Sequence, residues 1–309
     1  MINPLRRQRF RRKRKNLKLY SDEPRLWPIF QISFLVSLVT SLFNAETTSG
    51  SLFTHSVDDL FLFLKFVSWL YWIVKRLHPS QMTRRKGHTP LFFHDYGNWK
   101  NIPEYEEFIY HSPVGEVAGR LLQSSVAALY SNHVIVKDSG STKQTPWHQD
   151  QAYYEIDGQQ VCSVWLPVDP VSEHTCLRLL KGSHKFPQYF KPVHFDGPPF
   201  TSYEMKPGNE KQAGEFLSPP DVDGNDQYQV LSWNMEPGDC IVFHMKTVHG
   251  AHGNNLKTPR RAFSTRWLGD DAIKGERPWM NLPPSDGIRN LKRGENLVQS
   301  GAFTVTWTA

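Results

Sequence analysis

The chain has 309 residues, 39% of them hydrophobic, and a formal net charge of +6, so it can bury one large core or two modest ones. The charge does not describe the body. Residues 1–20 hold nine basic side chains and no acid, and subtracting those nine from +6 leaves −3 for the rest, so no specific nucleic-acid partner is expected of the folded part.

The tail itself suits a solvated extension, contact with anionic lipid or nucleic acid, or a targeting role. Residues 26–43 follow without a single charge, near the lower length limit for crossing a bilayer. A second apolar run, Leu60 to Val74, is broken by Lys65 and carries several aromatics. Residues 1–85 are therefore expected to be a basic tail with hydrophobic segments. They serve as a membrane anchor, as buried helices or as a segment foreign to the core, with membrane association carried by residues 1–76. Arg84-Arg85-Lys86-Gly87 reads as a linker, which puts the globular domain at 86–309.

Ile102–Tyr110 and Ser112–Ser124 suit two short helices, the second with Pro113 in its first turn. Val126–Lys137 has the apolar and β-branched pattern of a strand, and Asp138-Ser139-Gly140-Ser141 turns the chain. The next run is Thr145-Pro146-Trp147-His148-Gln149-Asp150-Gln151-Ala152-Tyr153-Tyr154. Two positions apart on a strand means one face, so His148 and Asp150 there supply two of the three ligands of a 2-His-1-carboxylate iron site. A bare His-x-Asp is weak; His194-Phe195-Asp196 is a second one, in a loop bracketed by prolines.

Val161–Val168 and Leu177–Leu180 read as further strands, with His184 in the turn after the latter. Residues 185–225, rich in Pro, Gly and charge, form a long loop of the kind that is usually functional or without regular structure. Pro237-Gly238-Asp239 turns into a strand through Ile241 and Phe243, and His244, His249 and His252 compete for the distal ligand position. Alternation after residue 259 puts Arg260, Ala262, Ser264 and Arg266 on one face and Arg261, Phe263, Thr265 and Trp267 on the other. Arg266 is expected to pair with Asp270 or Asp271. Cys162, Cys176 and Cys240 have no metal-binding spacing and fit buried thiols in a reducing compartment. The many short strands between Gly- and Pro-containing turns indicate a mainly β core with peripheral helices.

Several blocks, in order, resemble the phytanoyl-CoA dioxygenase family: Thr145–Tyr154, Ser163–Asp169, Lys181-Gly182-Ser183-His184, Pro237–His244, His249–Asn254 and Arg260–Asp271. The resemblance implies a double-stranded β-helix, the jelly roll of the cupins, and an Fe(II)- and 2-oxoglutarate-dependent dioxygenase using O₂, with ascorbate as a supporting reductant. It selects His249, which alone has the Gly-Ala-x-Gly-Asn tail and an arginine eleven residues on. It implies His148, Asp150 and His249 as catalytic metal ligands. Arg260 would hold the distal carboxylate of 2-oxoglutarate, with Arg261 the fallback if the register slips. Thr145 and Trp165 are expected beside the cosubstrate, Trp165 being equally well explained as a bulky core residue. The 185–225 loop would cap the substrate entrance.

Three features depart from the pattern. The family's opening strand with a cofactor-contacting lysine is not found before Phe92, and His252 stands where proline is common. Ala251 replaces a frequent serine, removing one hydrogen bond to the cosubstrate, roughly 0.5–1.5 kcal/mol. The expected reaction is hydroxylation of a C–H bond of a small organic or acyl substrate, with release of succinate and CO₂. Asp150 retains the carboxylate whose loss would make room for halide. The alternative is a metal-binding jelly roll without turnover that acts as a binding or membrane-tethered module. The expected compartment is cytoplasmic or membrane-associated; the terminal Thr304–Ala309 is not a Ser-Lys-Leu peroxisomal signal.

Overall fold

A computed structural model describes residues 90–195, 205–209, 216–279 and 286–309. The basic tail, both apolar runs, the linker and Asp196 lie outside them. No helix among the described residues is long and apolar enough to cross a membrane.

Two antiparallel sheets carry the fold. The larger runs β1 (Phe92–Tyr96), β2 (Val126–Lys137), β10 (Arg260–Leu268), β5 (Val161–Pro167) and β8 (Ile241–His244), with β12 (Thr304–Thr308) also on β2. Strand β2 is long enough to take β1 along residues 133–137 and β12 along 126–129. The smaller sheet runs β3 (Thr145–Gln149), β9 (Val248–Ala251), β6 (Arg178–Leu180) and β7 (Val230–Leu231). A two-stranded ladder, β4 (Ile156–Asp157) with β11 (Ile273–Lys274), lies beside them. This is the mainly β core indicated by the short strands, in the jelly-roll form that the family resemblance implies.

Helices α1 (Pro103–His111) and α2 (Val114–Leu122) fall within two residues of their expected ends. Pro103 opens α1, with Glu104 and Glu106 in its first turn, where the helix dipole favours acids. Alternation along β5 then sorts the two faces of the large sheet. Cys162, Val164 and Leu166 meet Phe108, Ile109, Ala118 and Leu122 of the helices. Trp165, on the other face, packs with Leu179 of the small sheet and with Phe243 and Ala262. Strand β5 is buried on both faces for that reason. All three cysteines are free thiols, and none is exposed.

Strands β1, β4, β7, β9, β11 and β12 were not expected. Three of them are two residues long, too short for a period to show. The β1 sequence FFHDY holds a histidine and an aspartate, yet five ladder pairs to β2 carry it.

Candidate metal and cosubstrate site

The site is built where β3 and β9 run side by side. His148 and His249 are direct register partners across this antiparallel pair, so both side chains stand on one face; their ring centroids are 4.1 Å apart. Pro146 has no N–H for the ladder, and the register shifts between Thr145 and His148 accordingly. Gly250 lets the strands close, since a Cβ there would lie 2.9 Å from the Thr145 carbonyl oxygen.

Each imidazole is oriented through its own backbone. The Nδ1 of His148 is 2.8 Å from the Pro146 carbonyl, and that of His249 is 2.9 Å from the Thr247 carbonyl. A carbonyl only accepts, so Nδ1 carries the proton and Nε2 keeps its lone pair for a metal.

Asp150 differs from the expected picture. Strand β3 ends at Gln149, and Asp150 is the first residue of a helical turn, α3 (Asp150–Tyr153). The turn is forced by its neighbours: Gln151 N–H donates to the Met245 carbonyl, and the Gln149 side chain bridges the Lys246 carbonyl and the Phe190 N–H. The carboxylate still arrives, with Oδ1 3.7 Å from both the His148 Nε2 and the His249 Nε2. Among the described residues, His148, Asp150 and His249 are the only His/Cys/Asp/Glu group whose ligand atoms converge, all within 4.8 Å, and all three are buried.

Arg266 accounts for the charge. Its Nε and Nη2 each lie 3.2 Å from an Asp150 oxygen, and the Ser163 hydroxyl donates to Oδ2 at 2.6 Å. Burial alone would raise the Asp150 carboxyl; Arg266, then His249 and His148, outweigh it and hold the group well below the ordinary carboxylate range. Burial, reinforced by His148, pushes His249 down to about 3, so it is a neutral donor. Arg266 thus has a different partner from the one expected. Asp270 bonds Ser125, and Asp271 accepts from the N–H groups of Gln159 and Gln160.

A pocket opens beside these groups, lined by Thr145, Trp165, Leu177, Ala251, Arg260 and Ser264 among others. The expected alternation of β10 holds, since Arg260, Ser264 and Arg266 all line it. Arg260 is 2% exposed, its guanidinium lies 5.1 Å over the Trp165 ring, and its Nε and Nη2 are buried without a hydrogen-bond partner among the described residues. Burial lowers it to about 10, still cationic at neutral pH. Arg261 cannot substitute: it points away and is clamped by Asp169 through Nε at 2.9 Å and through Nη2. His252 stacks on His174, and His244 takes the Lys246 N–H on Nδ1; neither belongs to the converging group, and nor does His194.

Two residues had no role assigned from the sequence. Asn254 is fully buried and donates to the carbonyls of Lys137, Asp138 and Thr258, locking the β9–β10 connection onto the end of β2. Lys137, wholly buried and paired in register with Arg260, donates to the Ala251 and His252 carbonyls. Burial, then the neighbouring Arg260, lowers its amine to about 6. The unfolded chain, with an ordinary lysine near 10.5, therefore binds more protons between these values, so stability rises with pH across the window. Denaturant unfolding at pH 7 and pH 9.5 should show wild type gaining on Lys137→Met as the pH goes up. An unchanged gap between them would refute the assignment.

Fold and site together define a class: a jelly roll with the His-Asp-His set that non-haem iron oxygenases use. The sequence comparisons make it specific. Residues 83–262 match the family model "Phytanoyl-CoA dioxygenase (PhyH)", more than half of the chain, and the chain belongs to that family. It is 24% identical over 252 residues to the phytanoyl-CoA dioxygenase of Arabidopsis thaliana, covering 79% of this chain and 77% of that protein. It is 24% identical over 182 residues to a probable phytanoyl-CoA dioxygenase of Caenorhabditis elegans, covering 56% of this chain and spanning only 53% of that relative's length.

Among solved structures, it is similar to the non-haem α-ketoglutarate-dependent carbocyclase SnoK of nogalamycin biosynthesis (TM-score 0.53, 17% identity, 78% of this chain and 87% of that one). It is also similar to the epimerase SnoN in complex with Fe³⁺, α-ketoglutarate and nogalamycin RO (TM-score 0.53, 18% identity, 78% and 90%). At these identities the likeness establishes the fold. The family's cofactor pair is Fe(II) and 2-oxoglutarate. The residues present fit it: two imidazoles and an ionised carboxylate suit a divalent iron, and a buried guanidinium with unmatched N–H groups suits a carboxylate.

Proposed function

We propose that this protein is an Fe(II)- and 2-oxoglutarate-dependent dioxygenase that hydroxylates a C–H bond of a small organic or acyl substrate and releases succinate and CO₂. One observation carries the reading: His148 and His249, whose Nε2 atoms converge with Asp150 Oδ1, share a pocket with the unmatched Arg260 guanidinium.

In this reading His148, Asp150 and His249 are the metal ligands, and Arg260 takes the distal carboxylate of 2-oxoglutarate through two parallel N–H bonds. Trp165 walls the cosubstrate and Thr145 borders it. When bound, the iron with its keto acid supplies the power to oxidise a C–H bond. The protein's share is orientation and exclusion of water. Backbone carbonyls hold both imidazole protons on Nδ1, Arg266 and Ser163 keep Asp150 ionised and fixed, and Leu177 and Phe243 keep the pocket apolar. The retained Asp150 favours hydroxylation over halogen transfer.

The direct test adds Fe(II) and 2-oxoglutarate to the full-length chain without oxygen. A visible metal-to-ligand charge-transfer band is expected, and its absence from folded, iron-loaded protein would defeat the proposal. Ala251, which lines the pocket without a hydroxyl, favours one second reading, a metal-binding jelly roll without turnover. Release of CO₂ that depends on the keto acid separates the two.

A further inference from the structure

Beside His148 the pocket is lined by the His133 and Phe195 rings, against which His94, Tyr96 and Tyr153 pack in a cluster with no role in holding iron or keto acid. Register places it well apart from the cosubstrate end: Arg260 pairs with Lys137, whereas Ser264, four residues on, pairs with His133, a distance of about 13 Å along the strand. The Phe195 ring lies 4.8 Å from His148 and 6.2 Å, edge on, from Tyr153. It lies 5.4 Å from His94 and 6.4 Å from His133, nearly parallel to the latter at 25°. Tyr96 stacks on His133 at 4.0 Å.

These rings are held, yet not sealed. The His94 Nδ1 and His133 Nε2 are 2.8 Å apart, which fixes both imidazole planes. The Tyr153 hydroxyl donates to the Val193 carbonyl at 2.5 Å and accepts from the Val193 N–H at 2.9 Å, so the segment bearing Phe195 is docked onto α3. Only His133 is buried; His94, Tyr153 and Phe195 are half-buried, and Tyr96 is 37% exposed. A cluster serving only as core would be closed.

Charge narrows the guest. The charged side chains lining the pocket are Arg260 and Arg266; the first belongs to the other end and the second is engaged by Asp150. Among the described residues, no acid lines the pocket to match a cation, and no lysine or further arginine lines it to match a phosphate. Near-parallel ring faces with fixed planes suit a flat group, which gains offset stacking on each of them.

We infer that the rings of His133 and Phe195, backed by those of His94, Tyr96 and Tyr153, seat the reacting part of the primary substrate, and that this part is a flat, uncharged ring system stacked against His133 and Phe195. The inference rests on the dioxygenase reading above and narrows its substrate class. Tyr153 is then a positioning residue, acting through Phe195.

The test titrates full-length protein, held without oxygen with Fe(II) and 2-oxoglutarate, with 2-naphthol by calorimetry, and in parallel with octanoyl-CoA and with choline. We expect 2-naphthol to bind most tightly of the three. Phe195→Ala should weaken it roughly tenfold or more, and Phe195→Trp should restore it to within about threefold of wild type. Binding of 2-oxoglutarate should be unchanged in both variants, which also shows that they are folded. Tighter binding of octanoyl-CoA or choline, no binding of 2-naphthol, or indifference to Phe195→Ala would each overturn the inference while leaving the dioxygenase reading standing. Failure of wild type to take up 2-oxoglutarate before any probe is added would instead remove the reading beneath it.

Discussion

Asp150→Ala is expected to abolish iron binding and to destabilise the protein by about 3–5 kcal/mol, the usual consequence of removing one partner of a buried ion pair. The two effects have separate causes. Iron is lost because one of three converging ligand atoms goes. Stability is lost because Arg266, 6% exposed at its side chain, is left a buried cation without its carboxylate, and Ser163 loses its acceptor. His148→Ala and His249→Ala leave the Arg266–Asp150 pair intact and should abolish iron binding with a smaller loss of stability. A double variant, Asp150→Ala with Arg266→Met, should recover most of the stability and none of the iron, because the stranded charge is gone but the ligand is not replaced. Metal content together with denaturant unfolding decides the matter. Retained iron in any of the three single variants would refute the ligand set, and wild-type stability in Asp150→Ala would refute the role given to Arg266.

Arg260 offers the second large effect, of opposite sign in the free protein. Arg260→Met should weaken 2-oxoglutarate binding by roughly two orders of magnitude. Two charge-assisted hydrogen bonds are worth about 1.5–3 kcal/mol each before the offsets of binding, and each 1.4 kcal/mol is about tenfold. The same substitution should leave the protein without cosubstrate as stable as wild type or more so, because two buried N–H groups there have no partner among the described residues and an unmatched buried charge is costly. Arg261→Ala should do the reverse. It leaves 2-oxoglutarate binding nearly intact and lowers stability modestly, since its pair with Asp169 is partly exposed at 22% and 17%. Equilibrium binding of 2-oxoglutarate and thermal unfolding of both variants read the contrast. If Arg261→Ala were the one to lose the cosubstrate, the register of β10 at this end would be shifted by one residue.

That register could be read from the sequence because β10 is long and its two faces differ in kind. Small Ala262 and Ser264 alternate with bulky Phe263 and Trp267, and a period of two leaves only two choices for Arg260. The helices were legible for the same reason, each having an apolar stripe at helical spacing. The partner of Arg266 was not. Asp270 and Asp271 are near in sequence, whereas Asp150 is 116 residues away, and proximity along the chain is a poor guide to which carboxylate shares a buried cavity. The aromatic β1 strand escaped notice because its polar His94 and Asp95 break the pattern, and because five cross-strand pairs supply what its own composition does not.

His148-x-Asp150 shows most plainly where the two sources of information divide. The sequence by itself determined which candidate donors to look for, their order, the mainly β core and, through the family resemblance, the jelly-roll class. It did so because short strands with turns at their ends have a composition of their own, and because the blocks around His148 and His249 occur together. It named a pair that does converge, but through an incomplete argument, since a shared strand face is not what brings His148 and Asp150 together. Tertiary structure decided that the strand stops at Gln149, that Met245 and Lys246 turn the chain there, and that His249 lies directly across from His148. It also decided which arginine neutralises the carboxylate and which is left with N–H groups to offer. Those outcomes depend on contacts between segments about a hundred residues apart, and a local pattern cannot encode a distance that only the closing of two sheets creates.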